Sequence, residues 1–415
     1  MPAILLTNAT LLDATGKPPL KDAAVIVDGE KIAWAGPKAQ AQARPEVATG
    51  QATVIDLKGK TLMPGMMDVH VHICQGTDPN PGGELTDILP LHAIRGVVNA
   101  RAFLDAGFTT VRNVGSPGYA DVALKQAIAR GLVPGPRILA SGWMLFTEGS
   151  GERGYMRPEV HVEEPGMFVG VEGARRAVRM DVYNGADIIK LVASGRVGSN
   201  AFTMPWDTEL TRDEMAAVAD EAHRLGKKVA AHAYAPHTVA DCVLAGIDSI
   251  EHGVMIDEPT IALMAERGTA LVPTMSPFHN YLQPGAEQRF PAYRLERGRP
   301  MAQLQRKNFP LYLSYGLKIA TGSDGPRPGS LPGTTALELQ LMVEAGMPPM
   351  QAVQAATKTA AEVIGMADRL GTIEAGKLAD LIVVDGDPLA DVRVLQGKER
   401  IKLVMKGGQV FRNSL

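Results

Sequence analysis

A repeated unit, in which an amphipathic helix ends at a glycine and an apolar strand follows, most constrains what this chain can fold into. Glycine suits the left-handed position that ends a helix, because it has no Cβ atom. Each strand begins directly after its glycine or a few residues later. The helix-ending glycines are Gly107, Gly131, Gly185, Gly226, Gly246, Gly268 and Gly316, and the strands are 108–111, 137–140, 186–192, 228–232, 247–251, 269–273 and 317–321.

Together with an apolar strand at 63–72, the repeat predicts eight strands that alternate with helices. They extend over roughly 300 residues, which is the usual size of an α/β (β/α)8 TIM barrel. The helix before Gly226 also begins with a capping box, Thr211-Arg212-Asp213-Glu214. A doubly wound parallel sheet is the alternative fold, but eight similar strand–helix units favour a closed barrel.

The two ends of the chain predict a second, smaller unit. Residues 3–60 contain short strands with tight turns, including a hairpin with Asp28-Gly29 at its turn. Similar short strands return only at 380–386 and 402–411. We therefore predict a small β-sandwich domain built from both termini, residues 1–60 plus 366–415, and a barrel domain of residues 61–365.

Charge and cysteine content exclude several classes of protein. The 415-residue chain has a net charge of −3, which gives no electrostatic case for binding nucleic acid or an anionic membrane surface. The N-terminus has neither a basic region nor a long apolar stretch, so we expect no signal peptide or transmembrane span. The two cysteines, Cys74 and Cys242, exclude a disulfide framework and fit a reducing compartment. We expect a cytoplasmic protein.

The candidate chemistry lies at the carboxyl ends of the predicted strands, where barrel enzymes place their active sites. Side chains alternate between the two faces of a strand, so Asp68, His70 and His72 share one face. Neutral imidazole is a strong ligand for zinc-like ions, so the two histidines form half of a possible metal site. The candidate ligands at the strand ends are His70, His72, Lys190, His232, His252 and Asp324.

Lys190 is the least expected of these residues, because it interrupts the apolar strand at 186–192. Burying a lysine is costly unless the amine is neutral or paired. One functional interpretation is a Schiff-base lysine of an aldolase-like barrel. The other is a lysine carbamylated by CO₂, whose carboxylate can bridge two metal ions. The four histidines nearby favour the second interpretation.

Several stretches of the sequence form a set that covers nearly the whole chain. They are Pro64-Gly65-Met66-Met67-Asp68-Val69-His70-Val71-His72, Lys190, His232, His252, Gly322-Ser323-Asp324 and the tail at 371–381. Together they resemble the amidohydrolase superfamily, in its binuclear-metal branch with a carbamylated lysine. The stretches at 185–190 and 232–234 are similar to the prolidase or imidazolonepropionase-like group, which includes Xaa-Pro dipeptidase-like enzymes and some N-acyl amino acid and ochratoxin amidases.

The resemblance implies two divalent metal ions, with zinc as the first expectation, bridged by a hydroxide that attacks the amide carbonyl. It also suggests a homo-oligomer. It assigns His70, His72 and Asp324 to the more buried ion, His232 and His252 to the other, and carbamylated Lys190 to both. Asp324 would carry a proton from the hydroxide to the leaving amine. Tyr234, two residues after His232 on the same strand face, would hydrogen-bond to the developing oxyanion.

Two long stretches, 143–169 and 277–300, break the helix–strand rhythm and predict loops that shape the active site. The first departs from the peptidase pattern, since 147–158 lacks the histidine of that group's Gly-Gly-His-Gly-Asp loop. After Lys190 the chain also has Ser194-Gly195-Arg196-Val197 in place of Ser-Gly-Gly-Val. Arg196 is therefore a candidate clamp for a substrate carboxylate, and His279 is a second candidate substrate contact.

The sequence predicts metal-dependent hydrolysis of the amide C–N bond of a small molecule, either a dipeptide or an N-acyl amino acid. Carbamates, ureas and cyclic amides are alternative substrates for the same metal centre. A mononuclear deaminase is disfavoured, because Ala235 stands where that chemistry usually has a glutamate. A non-catalytic scaffold relative is disfavoured because all six candidate ligands are present.

Overall fold

The computed structural model describes residues 2–48, 50–77, 87–148, 150, 165–198 and 203–415. Within these ranges the middle of the chain alternates parallel strands with helices, and the two ends form a separate sheet. Both cysteines are buried and free, as the sequence predicts. None of the helices described here is long and apolar enough to span a membrane.

The secondary structure follows the predicted rhythm through most of the chain. The strands are β1 (Ile4–Leu11), β2 (Leu20–Asp28), β3 (Lys31–Pro37), β4 (Thr53–Asp56), β5 (Thr61–Pro64), β6 (Met66–Val71), β7 (Phe108–Asn113), β8 (Arg137–Leu139), β9 (Met144–Thr147), β10 (Met167–Phe168), β11 (Ile188–Val192), β12 (Lys228–Ala233), β13 (Ser249–His252), β14 (Ala270–Val272), β15 (Leu381–Val384), β16 (Ile401–Lys406) and β17 (Gln409–Asn413). The helices are α1 (Lys38–Ala41), α2 (Pro45–Ala48), α3 (Leu89–Asp105), α4 (Ala120–Ala129), α5 (Gly170–Tyr183), α6 (Arg212–Arg224), α7 (Pro236–Leu244), α8 (Glu258–Arg267), α9 (Met275–Tyr281), α10 (Ala286–Arg289), α11 (Ala292–Ser314), α12 (Leu337–Glu344), α13 (Pro349–Ala355) and α14 (Lys358–Val363).

The terminal sheet takes strands from both ends of the chain. Its order is β17-β16-β15-β5-β1-β2-β3, with β4 beside β1, and the predicted hairpin joins β2 to β3. Strand β15 links this sheet to the rest of the molecule, because its side chains alternate between two cores. Leu381 and Val383 pack inside the terminal sheet's own core, whereas Ile382 and Val384 pack into the large central core. The exact division into two domains stays a prediction.

The parallel strands form two hydrogen-bonded runs, β6-β7-β8 and β10-β9-β11-β12-β13-β14. The amide of Asp187 donates to the carbonyl of Ala140 at 2.7 Å, so the end of β8 lies beside the start of β11. The predicted strand at 317–321 has no ladder of its own within the described residues. Single bridges instead join Ile319 to Leu271 and Gly325 to Val71. The α/β architecture with parallel sheets is confirmed, and full barrel closure stays a prediction.

The signals for helix ends are confirmed in the structure. All seven glycines predicted to end helices have positive φ, between 66° and 102°. Helix α6 begins with the predicted capping box, in which the Thr211 hydroxyl accepts from the Glu214 amide and the Glu214 side chain accepts from the Thr211 amide. These local signals end the helices next to the strands that carry the candidate ligands.

One predicted loop is wrong. Residues 277–300 lie mostly in helices, because α9, α10 and the start of α11 occupy this stretch. Helix α11 continues through Pro300 and Pro310, and its buried Leu295 and Phe309 anchor it. Proline inside a helix costs about 3 kcal/mol, so packing outweighs the local signal here. Of the other predicted loop, residue 149 and residues 151–164 lie outside the described residues, including most of the stretch without the histidine.

Two buried carboxyl groups stabilise the carboxyl end of β8. Asp121 on α4 accepts hydrogen bonds from the amides of Ser141 and Gly142, both at 3.1 Å. Asp181 on α5 accepts from the Trp143 amide at 3.4 Å. Burial, together with the neighbouring charge of Asp121, raises the pKa of Asp181 to about 8. The folded protein therefore holds this proton at neutral pH.

We expect the Asp181→Asn substitution to flatten the pH dependence of stability. Between about pH 4 and pH 8 the folded protein holds a proton that the unfolded chain has released, so the unfolding free energy falls as pH rises. The variant, measured against the wild type in urea at pH 6 and pH 8, should gain about 2 kcal/mol in relative stability at the higher pH. Asp368→Asn, at an exposed position, serves as the control and should show the same pH dependence of stability as the wild type. A parallel pH dependence in Asp181→Asn and the wild type would contradict the prediction.

Candidate metal centre

Five of the six predicted ligands form one connected cluster, and Lys190 lies beside it. His70 is the penultimate residue of β6, and His72 follows that strand directly. His232 lies in β12 and His252 ends β13. Asp324 follows the segment that bridges to β14. All of these side chains are buried, and Asp324 is the most exposed of them at 7%.

The first half of the cluster contains His70, His72 and Asp324. Asp324 Oδ1 is 3.4 Å from His70 Nε2 and 3.2 Å from His72 Nε2. The amide of Asp324 also donates to the carbonyl of His70 at 2.8 Å, which ties the two segments together. His70, His252 and Asp324 can offer ligand atoms within 4.8 Å of one another. A single cation placed among these atoms would meet nitrogen and carboxylate donors, which suits zinc.

The second half contains His232 and His252, whose ring centroids are 4.6 Å apart. The centroid of the Tyr234 ring lies 4.6 Å from that of His232 and 5.3 Å from that of His252. Lys190 lies on the neighbouring strand, opposite Ala230 in the β11–β12 pair. The structure thus brings Tyr234 to the predicted ligands, as expected from its position two residues after His232.

The outer nitrogens of the imidazoles have partners that leave the inner nitrogens free. His70 Nδ1 faces Glu251 Oε2 at 2.6 Å, and His72 Nδ1 faces the Gly115 carbonyl at 3.5 Å. His232 uses its other nitrogen, because its Nε2 faces the Gly195 carbonyl at 3.1 Å. Carboxylate and carbonyl oxygens only accept, so the ring proton lies on the outer nitrogen and the lone pair points inward. The fourth imidazole, His252, meets the Thr274 hydroxyl through Nδ1 at 2.6 Å.

Burial keeps His72, His232 and His252 in the neutral form that binds metals. For His72, burial and then the nearby Arg327 charge lower the pKa to about 4. The pKa values of His232 and His252 are also well below their usual range, first through burial and then through neighbouring positive or protonatable groups. The histidine donors are therefore ready for a cation at neutral pH.

Lys190 has a buried amine without a hydrogen-bond partner among the described residues. Its side chain is 2% exposed. Burial lowers the pKa of Lys190 to about 8, although the charges of Glu251 and Asp324 oppose that shift. A purely structural lysine would be paired, because an unpaired buried amine is costly. The Nζ atom is therefore consistent with an amine that is completed by a bound ligand or by a covalent modification.

Asp324 is held as a carboxylate. Burial alone would favour the neutral acid, but the charge of Arg327 and the proximity of the His70 and His72 imidazoles keep the pKa of Asp324 well below its usual range. Arg327 Nε donates to Asp324 Oδ1 and to its carbonyl, both at 2.8 Å. The Arg327 side chain is 32% exposed, so this guanidinium lies between the cluster and solvent.

Backbone strain concentrates at the strand ends that carry the cluster. His252, Thr274 and Asp324 have positive φ values of 73°, 46° and 55°. Aspartate tolerates this left-handed conformation, but histidine and especially β-branched threonine rarely adopt it. Such strain costs of order 1–3 kcal/mol per residue and clusters at functional sites. The strain supports a functional rather than a structural role for these positions.

An aromatic wall lies next to the second half of the cluster. The Phe278 ring centroid is 6.1 Å from that of Tyr234 and 6.4 Å from that of His252. Tyr281 and Phe290 continue the same apolar cluster, with ring centroids 4.9 Å apart. Burial raises the pKa of the Tyr234 hydroxyl far above its ordinary value, so this group is a proton donor and not a phenolate.

The two predicted substrate contacts differ in position. Arg196 is partly buried. Its positive charge adds to the lowering of the His232 pKa and opposes the raising of the Tyr234 pKa, so it lies near both residues. His279 instead meets Arg306 on α11, with 2.7 Å between Nδ1 and Nη2. The neighbouring Phe278 faces the cluster. The role of each residue toward a substrate stays a prediction.

Five residues at the site were not predicted as site residues from the sequence: Arg112, Glu251, Thr274, Phe278 and Arg327. Arg112 gave a weaker signal than Lys190, because its strand β7 also contains two threonines and an asparagine. No such signal marked Thr274, Phe278 and Arg327. Each lies a different number of residues after the end of a strand, and only the folded chain shows that these positions reach the site.

Comparison with known proteins gives consistent matches. The model of the amidohydrolase family matches residues 61–411. The ochratoxinase of Aspergillus niger is 31% identical, over 99% of this chain and 87% of its own length. The imidazolonepropionase of Pseudomonas fluorescens is 28% identical, over 94% of each chain. The crystal structure of a prolidase complexed with N-methylphosphonate-L-proline has 34% identity and a TM-score of 0.89, covering 99% of this chain and 100% of its own.

We expect removal of divalent metal to lower the thermal stability of the protein, and zinc to restore it. A ligand present at 1,000 times its Kd stabilises the folded state by about 4 kcal/mol. The midpoint of thermal unfolding would be measured after chelation and after addition of Zn²⁺. In Asp324→Asn the zinc-dependent rise should be smaller, because one carboxylate donor is lost. Equal midpoints with and without zinc in the wild type would contradict a metal site here.

Proposed function

This chain belongs to the amidohydrolase family and is a hydrolase, and from that premise we propose that it cleaves the amide bond of a dipeptide or an N-acyl amino acid with two divalent metal ions, zinc in the first instance. The observation that carries the proposal is Lys190, a buried amine without a partner among the described residues, beside four histidines and a carboxylate.

The donor set divides into two metal positions. His70, His72 and Asp324 would hold the first ion, because Asp324 Oδ1 lies within 3.4 Å of both Nε2 atoms. His232 and His252 would hold the second ion. Lys190, carbamylated by CO₂, would be a ligand shared by the two ions. This arrangement uses the partnerless amine and adds the negative charge that two dications require. We further propose that the parallel strands close into the (β/α)8 barrel of the family.

The bound ions would supply Lewis-acid chemistry, lowering the pKa of water and polarising the amide carbonyl. The chain's own residues perform the proton transfers. Asp324 takes a proton from the attacking water while the new C–O bond forms, and then donates it to the leaving nitrogen as the C–N bond breaks. Tyr234 is kept protonated by burial and donates a hydrogen bond to the carbonyl oxygen as it gains charge.

Two guanidinium groups support a substrate with a free carboxylate. Among the described residues, the side-chain hydrogen bonds of Arg327 all come from Nε and go to Asp324, so its terminal amino groups have no protein acceptor there. Arg196 lies on the side of His232. The wall of Phe278 and Tyr281 favours an apolar group on the substrate. An N-acylated amino acid agrees with the related prolidase, whose ligand is named N-methylphosphonate-L-proline. It also agrees with the name of the related ochratoxinase.

A cyclic amide is the second candidate substrate, favoured by the relative named imidazolonepropionase. Carbamates and ureas use the same metal chemistry and stay alternatives. His279 stays a weaker candidate contact, because its ring is occupied by Arg306. We also propose a homo-oligomeric, cytoplasmic protein, on the resemblance and on the two free cysteines.

We expect hydrolysis of Xaa-Pro dipeptides or N-acyl amino acids that is lost on chelation and absent in Lys190→Ala. Loss of the bridging carboxylate should lower kcat/KM by at least about 1,000-fold, since a missing bridge disturbs both ions at once. The screen would also contain cyclic amides, aryl carbamates and ureas. Short carboxylic acids added to Lys190→Ala should restore part of the activity, because they can occupy the place of the carbamate.

The outcomes of this screen separate the alternatives. Activity on cyclic amides, carbamates or ureas alone would keep the metal centre and overturn the proposed substrate. Activity that persists after chelation, with trapping of Lys190 by borohydride, would support a Schiff base and overturn the mechanism. A wild-type protein that binds no divalent metal would indicate a non-catalytic relative.

We expect Arg327→Met to weaken hydrolysis of a free acid more than hydrolysis of its carboxamide. A charged hydrogen bond contributes about 1.5–3 kcal/mol, so kcat/KM for the acid should fall by roughly 10- to 100-fold more than for the amide. The paired substrates cancel any effect through Asp324, which Arg327 also contacts. Arg306→Met removes a guanidinium that contacts His279 and serves as the control. An unchanged acid-to-amide ratio in Arg327→Met would contradict this role.

A further inference from the structure

A buried polar network lies directly behind His70. Glu251 divides its two carboxylate oxygens between different partners. Oε2 faces His70 Nδ1 at 2.6 Å, whereas Oε1 accepts from Arg112 Nη2 and from the Ser249 hydroxyl, both at 2.7 Å. Arg112 Nη1 also donates to the Ser249 hydroxyl at 3.0 Å, and its Nε donates to the Val69 carbonyl. The Glu251 carboxylate thus has one partner on its His70 side and two partners on its other side.

The network joins three strands and excludes water. Arg112 lies on β7, Glu251 and Ser249 on β13, and His70 on β6. Arg112 is 3% exposed, and Glu251 is fully buried. The contact with the Val69 carbonyl fixes the residue directly before His70 in the chain. The Arg112 guanidinium is therefore held from three sides, and it in turn holds Glu251.

We propose that the Arg112–Glu251 pair positions His70 for metal binding, by fixing its tautomer and its ring orientation; this rests on the proposed function of the metal centre. A carboxylate accepts the proton on Nδ1 and leaves the Nε2 lone pair pointing at Asp324. Arg112 cancels the charge of Glu251, so the pair gives His70 a strong acceptor without a net charge behind the site. Arg112 and Glu251 are positioning residues and touch no reacting atom.

The negative charge of the buried Glu251 carboxylate explains why the Arg112 guanidinium lies directly behind it. A lone carboxylate is costly to bury in the dry interior, and Arg112 Nη2 lies 2.7 Å from Glu251 Oε1 as its counter-charge. A structural ion pair between β7 and β13 would not require the second oxygen to face a histidine nitrogen at 2.6 Å.

Glu251→Gln tests the proposal with little change in shape. The amide oxygen can still accept from Arg112 and Ser249, but the amide nitrogen then donates toward His70 Nδ1 and forces the ring proton onto Nε2. In metal-free protein with ¹⁵N-labelled histidine, the His70 nitrogen shifts should change from the Nδ1–H to the Nε2–H tautomer, with the signals assigned by His70→Gln. The affinity for one of the two Zn²⁺ ions, measured by competition with a chelator, should fall by about 10- to 100-fold.

Thr274→Ala is the matched control, because it removes the partner of His252 and leaves Glu251 in place. The His70 tautomer should stay unchanged in this variant. Where Glu251→Gln does not fold, Ser249→Ala weakens the support of Oε1 while keeping both charges, and a smaller loss of zinc affinity is expected. An unchanged His70 tautomer with wild-type zinc affinity in a folded Glu251→Gln protein would overturn the proposal.

The two proposals fail in distinguishable ways. The tautomer is read in metal-free protein and zinc affinity is read without substrate, so neither depends on which amide is hydrolysed. A wild type that binds zinc but cleaves none of the amides, together with the expected tautomer change, would sustain the role of Glu251 and overturn the substrate. A wild type that binds no zinc would overturn both, even if the tautomer responds to Glu251.

Discussion

The burial among four imidazoles of a lysine amine that has no hydrogen-bond partner in the described part of the chain is the constraint on which the rest of this structure depends. Such a group of polar atoms is costly to bury without a ligand, because it loses its hydration. The surrounding residues orient these side chains, because a hydrogen-bond acceptor lies behind each of three imidazoles. Those acceptors are the Glu251 carboxylate and the carbonyls of Gly115 and Gly195. The inner nitrogens thereby keep their lone pairs directed into the cluster, where they are available to a cation.

The same logic accounts for the strained backbone at the strand ends. Thr274 has a left-handed conformation that a β-branched residue resists, yet its hydroxyl reaches His252 only from there. The strain is held by Glu338, whose carboxylate accepts from the amides of Met275 and Ser276 at 2.6 and 2.8 Å. Glu338 is fully buried and lies on α12. Stability elsewhere in the core therefore maintains a site that is locally unfavourable.

The part of the site that could be predicted from the sequence is the part carried by strands. A strand gives a local signal, because an apolar run that ends in histidine or contains lysine is conspicuous without knowledge of its neighbours. Partnerships across strands give no such signal, so the contact of Arg112 with Glu251 was not predictable. The segment at 317–321 pairs less regularly than its sequence pattern predicts. Its apolar pattern predicts a strand, but its neighbours offer it only single bridges within the described residues.

The segment after β14 shows why substrate contacts are harder to predict than ligands. Its prolines favour a loop, and in a loop His279 would be the natural choice for a polar contact. The folded segment is helix α9, where successive side chains point about 100° apart. This rotation directs Phe278 to Tyr234 and His279 to Arg306, so neighbouring residues face different surroundings. The conformation of the segment after a strand, and not its composition, therefore decides which side chains face a substrate, whereas the positions of the predicted metal ligands depend mainly on where the strands end.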